Sequence, residues 1–362
     1  MASELGCLRG RSPSNLLIAK LWSPAPGPWP LAAGRWSLAP GPWSLVPGPW
    51  SPAPGRWPLA PGPWSAPTSD SNTPKSLNAA TIVRIAVLGL GLIGSIWARH
   101  LHSDGHQVRA WNRSPKPDQP GWTADASAAV ADAELVLVVV ADGAAVLSVL
   151  AAVRSALPPG ALVCQHSTIG YDETLAAAQL VRSAGARYLD MPFTGSKPAA
   201  EQRQNVFFVA GEESDAAEVQ PLYARLAKAQ VLAGAVGQAT AMKLSFNLLL
   251  ADLNQAMCEA QELARRAGIP PQAWFAALDL NVGKSPYADL KKPKWLSGDY
   301  SPQFAIKHMA KDVRLAQRLA ATHALAMPLT DTATAMLTAA ETRGLGDLDF
   351  SAILTLIREP RR

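Results

Sequence analysis

Cysteine is scarce, with only Cys7, Cys164 and Cys258 in 362 residues and none near another. That excludes a disulfide framework and a paired-cysteine metal knuckle, and predicts a reducing compartment. Charge is thin as well, at 17% of residues and a net +5, with no basic run longer than a few positions, so no nucleic-acid partner is predicted. No apolar stretch reaches about 18 residues free of proline, glycine or charge, so no transmembrane helix and no membrane partner are expected. A cytoplasmic location follows as the expectation. The six histidines, His100, His102, His106, His166, His308 and His323, show no ligand spacing, and no metal is predicted.

Proline and tryptophan, by contrast, crowd one end. Within residues 1–80, Trp22, Trp29, Trp36, Trp43, Trp50, Trp57 and Trp64 recur every seven residues in units such as S-L-A-P-G-P-W. A seven-residue period suits a coiled coil, but one to three helix breakers per unit forbid it. Residues 1–80 are therefore expected to be a disordered or polyproline-like leader. It reads either as a repeat expansion without function or as a tail that recruits partners. Met1–Lys20 carries Arg9, Arg11 and Lys20 with little acid, yet no amphipathic stripe supports a transit peptide.

The rest alternates in the manner of an α/β protein. Val83, Ile85 and Val87 form a β-branched run that meets Gly89, Leu90, Gly91, Leu92, Ile93 and Gly94. A helix and a second strand over Gln107–Trp111 are predicted to follow. G-x-G-x-x-G in that setting is the dinucleotide fingerprint, because glycines let backbone N–H groups approach a pyrophosphate at a helix N-terminus. Where an NAD site wants an acid for the ribose 2′-hydroxyl, this chain has Asn112, Arg113 and Ser114. Arg113 can pair with a 2′-phosphate, and Asn112 and Ser114 can donate to it, so the cofactor read here is NADP.

Further strands are predicted at 135–140, 161–165, 187–190, 206–210 and near Val231, with helices between them, giving a doubly wound parallel sheet over residues 81–236. Three prolines in Pro115–Trp122 occupy the place of a crossover helix. From Gly237 to Gly268 no proline occurs, and Met242, Leu249, Leu253, Met257 and Leu263 suggest an apolar stripe on a long helix. Helices over 271–280, 304–322 and 328–343 complete an all-α domain, residues 237–362, entered through that long helix.

Two polar residues on the long helix, Lys243 and Asn247, share one face a turn apart. An exposed pair is the plain reading of that spacing; at a domain junction the lysine can instead protonate a carbonyl oxygen. In the loop Asp190-Met191-Pro192-Phe193-Thr194-Gly195-Ser196-Lys197 at the end of the 187–190 strand, Thr194-Gly195-Ser196 offers hydroxyls and open N–H groups suited to a carboxylate. Satisfied or surface positions are the default for the histidines; His166, after a strand and beside Ser167 and Thr168, could alternatively touch substrate or cofactor. Lys311 and Asp312 fall in a helix opened by Ser301-Pro302-Gln303-Phe304.

Four blocks give the chain a family likeness. They are V-L-G-L-G-L-I-G with W-N-R-S, L-D-M-P-F-T-G-S-K-P-A-A-E, G-Q-A-T-A-M-K-L-S-F-N, and G-D-Y-S-P-Q-F-A-I-K-H-M-A-K-D-V-R-L-A followed by G-L-G-D-L-D-F-S-A-I. Over about Val83–Ile357 the sequence resembles the β-hydroxyacid dehydrogenases, and within them the glyoxylate/succinic semialdehyde reductases. The resemblance implies that Lys243 donates a proton to the carbonyl oxygen and that Asn247 holds substrate. It implies that Thr194, Gly195 and Ser196 bind the substrate carboxylate, and that Thr168 lies near both nicotinamide and substrate. It further implies that Phe304 and Asp312 line the pocket and that Lys311 contacts the cofactor. The expected substrate is a small carboxylate-bearing aldehyde or keto acid, and the expected assembly a dimer or tetramer.

Thr194 departs from the family serine, keeping the hydroxyl while adding a methyl that narrows the site. An imine reductase lacks the lysine, and a 6-phosphogluconate dehydrogenase would carry a histidine where Phe246 stands. The alternative from another class is a catalytically idle NADP-binding protein that recruits partners through its Trp/Pro-rich tail.

Overall fold

The computed structural model describes residues 81–359, so the Trp/Pro leader predicted over 1–80 lies outside the described residues. Its organising element is an eight-stranded sheet. The strands are β1 (Arg84–Leu88), β2 (Gln107–Trp111), β3 (Leu135–Val138), β4 (Leu162–Gln165), β5 (Arg187–Asp190), β6 (Phe193–Thr194), β7 (Asn205–Ala210) and β8 (Ala227–Gly234). β3 and β4 are buried at every position, as strands covered by helices on both faces must be.

The order β2-β1-β3-β4-β5 is parallel throughout. The helices between these strands are α1 (Leu92–Ser103), α2 (Ala126–Val130), α3 (Gly143–Val153) and α4 (Tyr171–Arg182). Trp97, Ala98 and Leu101 of α1 join one apolar layer with Ile85 and Val87 of β1, while Val146, Leu150, Ala177 and Val181 of α3 and α4 join the layer on the opposite face. Because the chain leaves β1 for β2 on one side and returns to β3 on the other, a topological switch point opens between β1 and β3.

Beyond β5 the sheet differs from the all-parallel expectation. β7 runs antiparallel to β5 and β6, and β8 is parallel to β7. Only residues 195–204 connect β6 to β7, including the single-turn α5 (Lys197–Glu201), too few for a parallel crossover. α6 (Glu213–Tyr223) then leads to β8.

The proline stretch after β2 is not a helix. Trp122 makes a parallel bridge to Ala110, and Ala110 N–H donates to Gly121 O at 2.8 Å, so the segment lies along the otherwise open edge of β2.

α7 (Gln238–Arg266) has 29 residues, or about 44 Å at 1.5 Å per residue. It packs with α8 (Pro271–Leu278), α9 (Pro286–Ser297), α10 (Ile306–Thr322), α11 (Pro328–Thr342) and α12 (Ile353–Arg358) around Phe275, Trp295, Met309, Val313 and Ile353. The apolar stripe read from the sequence only partly matches its buried face: Met257 is in the core, with Leu253 and Met242 packed on buried clusters, but Leu249 is 50% and Leu263 73% exposed. The face turned inward carries Lys243, Asn247, Ala251, Asn254, Cys258 and Gln261. Asn254 is accommodated because it donates to Phe350 O at 3.1 Å and accepts from Tyr287 Oη at 2.8 Å.

Candidate active site

The glycine turn sits at the switch point. A Cβ on Gly94 would lie 2.0 Å from Gly89 O, so only glycine lets the first turn of α1 close onto the end of β1. Gly91, the N-cap of α1, is exposed, and a Cβ there would meet nothing. No side chain caps this helix and no acid stands in its first turn, which leaves its leading N–H groups and positive end available to an anion. Leu92 is 62% exposed and Ile93 half-buried at the mouth of the turn.

Asn112 is bonded to both sides of the turn. Its Oδ1 accepts from Leu90 N at 2.9 Å and its Nδ2 donates to Ser114 O at 2.8 Å. It braces the end of β2 against the glycine turn, while Arg113 and Ser114 beside it are exposed.

On the far side of the switch point, β5 ends at Asp190 and the chain turns through Pro192 into Thr194 and Gly195. Gly195 has φ +119, a conformation that favours glycine, and Asn205 Nδ2 donates to Thr194 O at 3.4 Å beneath it. Thr194 and Ser196 are half-buried and Gly195 is exposed, so the segment is fixed yet reachable.

The strongest constellation joins three elements. Lys243 is 8% exposed, and its Nζ donates to Asn247 Oδ1 at 2.9 Å. Asn247 Nδ2 donates to Asp312 Oδ2 of α10 at 2.5 Å. Asp312 Oδ1 lies 2.9 Å from Lys311 Nζ, an ion pair without an aligned hydrogen bond. Lys311 Nζ donates in turn to Thr168 O, at 2.5 Å, in the loop after β4. Burial pulls the Lys243 ammonium down to about 8; Asp312 opposes that shift and Lys311 adds to it. A lysine in that range can give and take a proton near neutrality.

Lys243, Asn247, Asp312, Lys311 and Thr168 are thus brought into one bonded chain. Thr194, Gly195 and Ser196 are not bonded to it. Phe304 lies in the segment before α10, where its N–H donates to Asp349 Oδ2 at 3.2 Å and its ring packs 6.0 Å from His308. Asp349 is fully buried and is held by Lys291 Nζ at 2.8 and 2.9 Å, a support for Phe304 that no spacing in the sequence announced.

His166 proves to be a core residue. Its ring is wedged among Trp97, Phe207 and Tyr223. Nδ1–H donates to Met191 O and Nε2 accepts from Tyr223 Oη, both at 2.7 Å, and burial pushes its pKa down to about 4. Asp190, passed over in the sequence as a strand end, is fully buried and bonded to the start of α7. Among the described residues no cluster of His, Cys, Asp or Glu could hold a metal, and no helix is long and apolar enough to cross a membrane.

Sequence families match this layout half by half. Residues 84–237 match the NAD binding domain of 6-phosphogluconate dehydrogenase, and residues 237–357 match the NAD-binding family of NADP-dependent 3-hydroxyisobutyrate dehydrogenase. Glyoxylate/succinic semialdehyde reductase 1 of Arabidopsis thaliana is 29% identical over 288 residues, covering 77% of this chain and all of that protein. The solved structure of Mycobacterium tuberculosis 3-hydroxyisobutyrate dehydrogenase with L-serine superposes with a TM-score of 0.72 at 28% identity, over 77% of this chain and 100% of that one. The mouse cytokine-like nuclear factor N-PAC is 26% identical over 80% of this chain but only 54% of its own length.

A glycine turn at a switch point, with a buried lysine on the helix leaving the sheet, defines an NAD(P)-dependent oxidoreductase of hydroxyl and carbonyl groups. The two matched families together span residues 84–357, and with these relatives they support the β-hydroxyacid dehydrogenase family for this chain.

Proposed function

We propose that this chain is an NADPH-dependent reductase of a small carboxylate-bearing aldehyde or keto acid: glyoxylate, succinic semialdehyde or a related semialdehyde/3-hydroxy acid pair. The observation that carries the reading is the buried Lys243 ammonium, drawn down to about 8 and held by Asn247.

The residues at the glycine turn fit a dinucleotide: an uncapped α1 N-terminus, an open Gly91 and the exposed Arg113 and Ser114 for a 2′-phosphate. When bound, NADPH supplies the hydride. Leu90, Leu92, Ile93 and the three glycines would contact its pyrophosphate, with Lys311 and Thr168 toward the nicotinamide.

Thr194, Gly195 and Ser196 hold the substrate carboxylate and so fix the carbonyl carbon. Lys243 steadies the developing alkoxide and gives its proton to that oxygen. Asn247 orients the Lys243 ammonium, and Asp312 keeps it charged. Phe304 forms an apolar wall, and the Thr194 methyl favours a short substrate. The intact Lys243–Asn247–Asp312 chain speaks for turnover and against an idle NADP-binding module with a recruiting tail.

We further propose residues 81–236 and 237–362 as nucleotide-binding and substrate domains, the enzyme as a dimer or tetramer, and its location as cytoplasmic; the free thiols of Cys164 and Cys258 agree with the last. The test is loss of NADPH absorbance with glyoxylate and with succinic semialdehyde, using full-length protein and a form lacking residues 1–80. Consumption of NADPH with a short carboxylate-bearing aldehyde supports the reading. No consumption with any of them, alongside partner capture by the tail, overturns it.

A further inference from the structure

Asp190 stands outside every role given above, yet it touches both halves of the site. It ends β5, four residues before Thr194, and is fully buried. Its Oδ2 accepts from Gly237 N at 3.1 Å and from Thr240 N at 2.9 Å, and its Oδ1 accepts from Thr240 Oγ1 at 2.8 Å.

Those donors are the N-cap and third residue of α7. An N-cap side chain ordinarily satisfies the N–H of the third helical residue. Gly237, at φ +97, has no side chain to do so, and a Cβ there would strike the Tyr171 ring at 2.6 Å. The cap is therefore supplied from the sheet. A buried acceptor with three bonds to one helical turn fixes both the rotation of α7 and its distance from the sheet edge.

Lys243 lies three residues beyond Thr240 on neighbouring helical surface. Thr240 Oγ1 also lies 2.9 Å from Thr174 Oγ1, which donates to Gly170 O at 3.0 Å. Gly170 closes the loop that carries Thr168. One carboxylate thus registers the Lys243 helix against both the Thr194 segment and the Thr168 loop.

We infer that Asp190 is a positioning residue for the reductase reaction, setting the place of Lys243 by capping α7 from β5. The inference rests on the reading of Lys243 as proton donor. Loss of the cap lets α7 shift, and a misplacement of about 1 Å costs up to about 100-fold in rate. Cofactor and carboxylate contacts are made elsewhere, so binding is retained.

The test compares kcat, KM and NADPH affinity of purified Asp190→Ala, Asp190→Asn, Thr240→Val and Lys243→Ala. The expected result for Asp190→Ala is a kcat lowered about 10- to 100-fold with KM and NADPH affinity within about threefold. Asn caps helices nearly as well as Asp, so Asp190→Asn should recover most of kcat. Thr240→Val keeps the backbone donors and volume and should lose about threefold or more in kcat at unchanged KM. It decides the matter if Asp190→Ala yields no soluble protein. Full kcat in Asp190→Ala or in Thr240→Val, beside an inactive Lys243→Ala, overturns the inference and leaves the lysine mechanism standing. Full turnover in Lys243→Ala overturns the underlying mechanism itself.

Discussion

Asn247 of α7 donates to Asp312 of α10 across 2.5 Å, in a setting where Asn247 is 3% and Asp312 2% exposed. That bond links the lysine helix to a carboxylate that favours the charged lysine. Asp312→Asn removes the negative charge while keeping the volume. It should move the Lys243 pKa further down and cut kcat at neutral pH by about tenfold, with the alkaline limb of the pH–rate profile displaced to lower pH. An unmoved limb would separate Asp312 from the lysine.

The pH dependence of the reaction follows from the same ammonium. Burial brings Lys243 to about 8, so the group is protonated below that pH and neutral above it. Carbonyl reduction needs the acid form and should decline as pH rises through about 8. Alcohol oxidation needs the neutral amine and should rise through the same interval. Steady-state rates in both directions across this range check the sign.

Cofactor choice should turn on Arg113. It is exposed and makes no ion pair among the described residues, so its removal costs the fold little. A charge-assisted contact to phosphate contributes about 1.5–3 kcal/mol, so Arg113→Ala should weaken NADPH about tenfold or more while leaving NADH nearly unchanged. Fluorescence titration with each cofactor measures the ratio.

His166 gives a stability prediction. It is held neutral with a folded pKa of about 4, below its ordinary 6.5. A depressed histidine is protonated more readily in the unfolded chain, so its stabilising effect is present above pH 6.5 and lost as pH falls toward 4. The shift corresponds to about 3 kcal/mol. Glutamine can still donate to Met191 O and accept from Tyr223 Oη, so His166→Gln should show a much flatter loss of Tm with acid than the parent.

Much of this is legible in the sequence. G-L-G-L-I-G sets its own geometry through local steric demands, and Lys243 and Asn247 are a turn apart by helical spacing alone. What escaped was decided by long-range bonds. The buried face of α7 can include Asn254 because Phe350 O and Tyr287 Oη satisfy it, which an apolar periodicity cannot reveal. α9, with Pro293 inside it, is not among the helices expected from the sequence, yet Ser285 caps it and Lys291 anchors it to Asp349. The antiparallel turn of β7 follows from a connection too short to cross over. His166 is a satisfied core histidine, the default reading for the histidines, but the aromatic rings that hold it are distant in sequence and no spacing pointed to them.

The central claim is that Lys243 delivers the proton. Its most direct test is NADPH oxidation by Lys243→Ala with a saturating short aldehyde acid, beside a fluorescence titration of NADPH on the same preparation. The account predicts a kcat lowered by about two orders of magnitude or more with cofactor affinity unchanged. Parental turnover in a variant that still binds NADPH would contradict it.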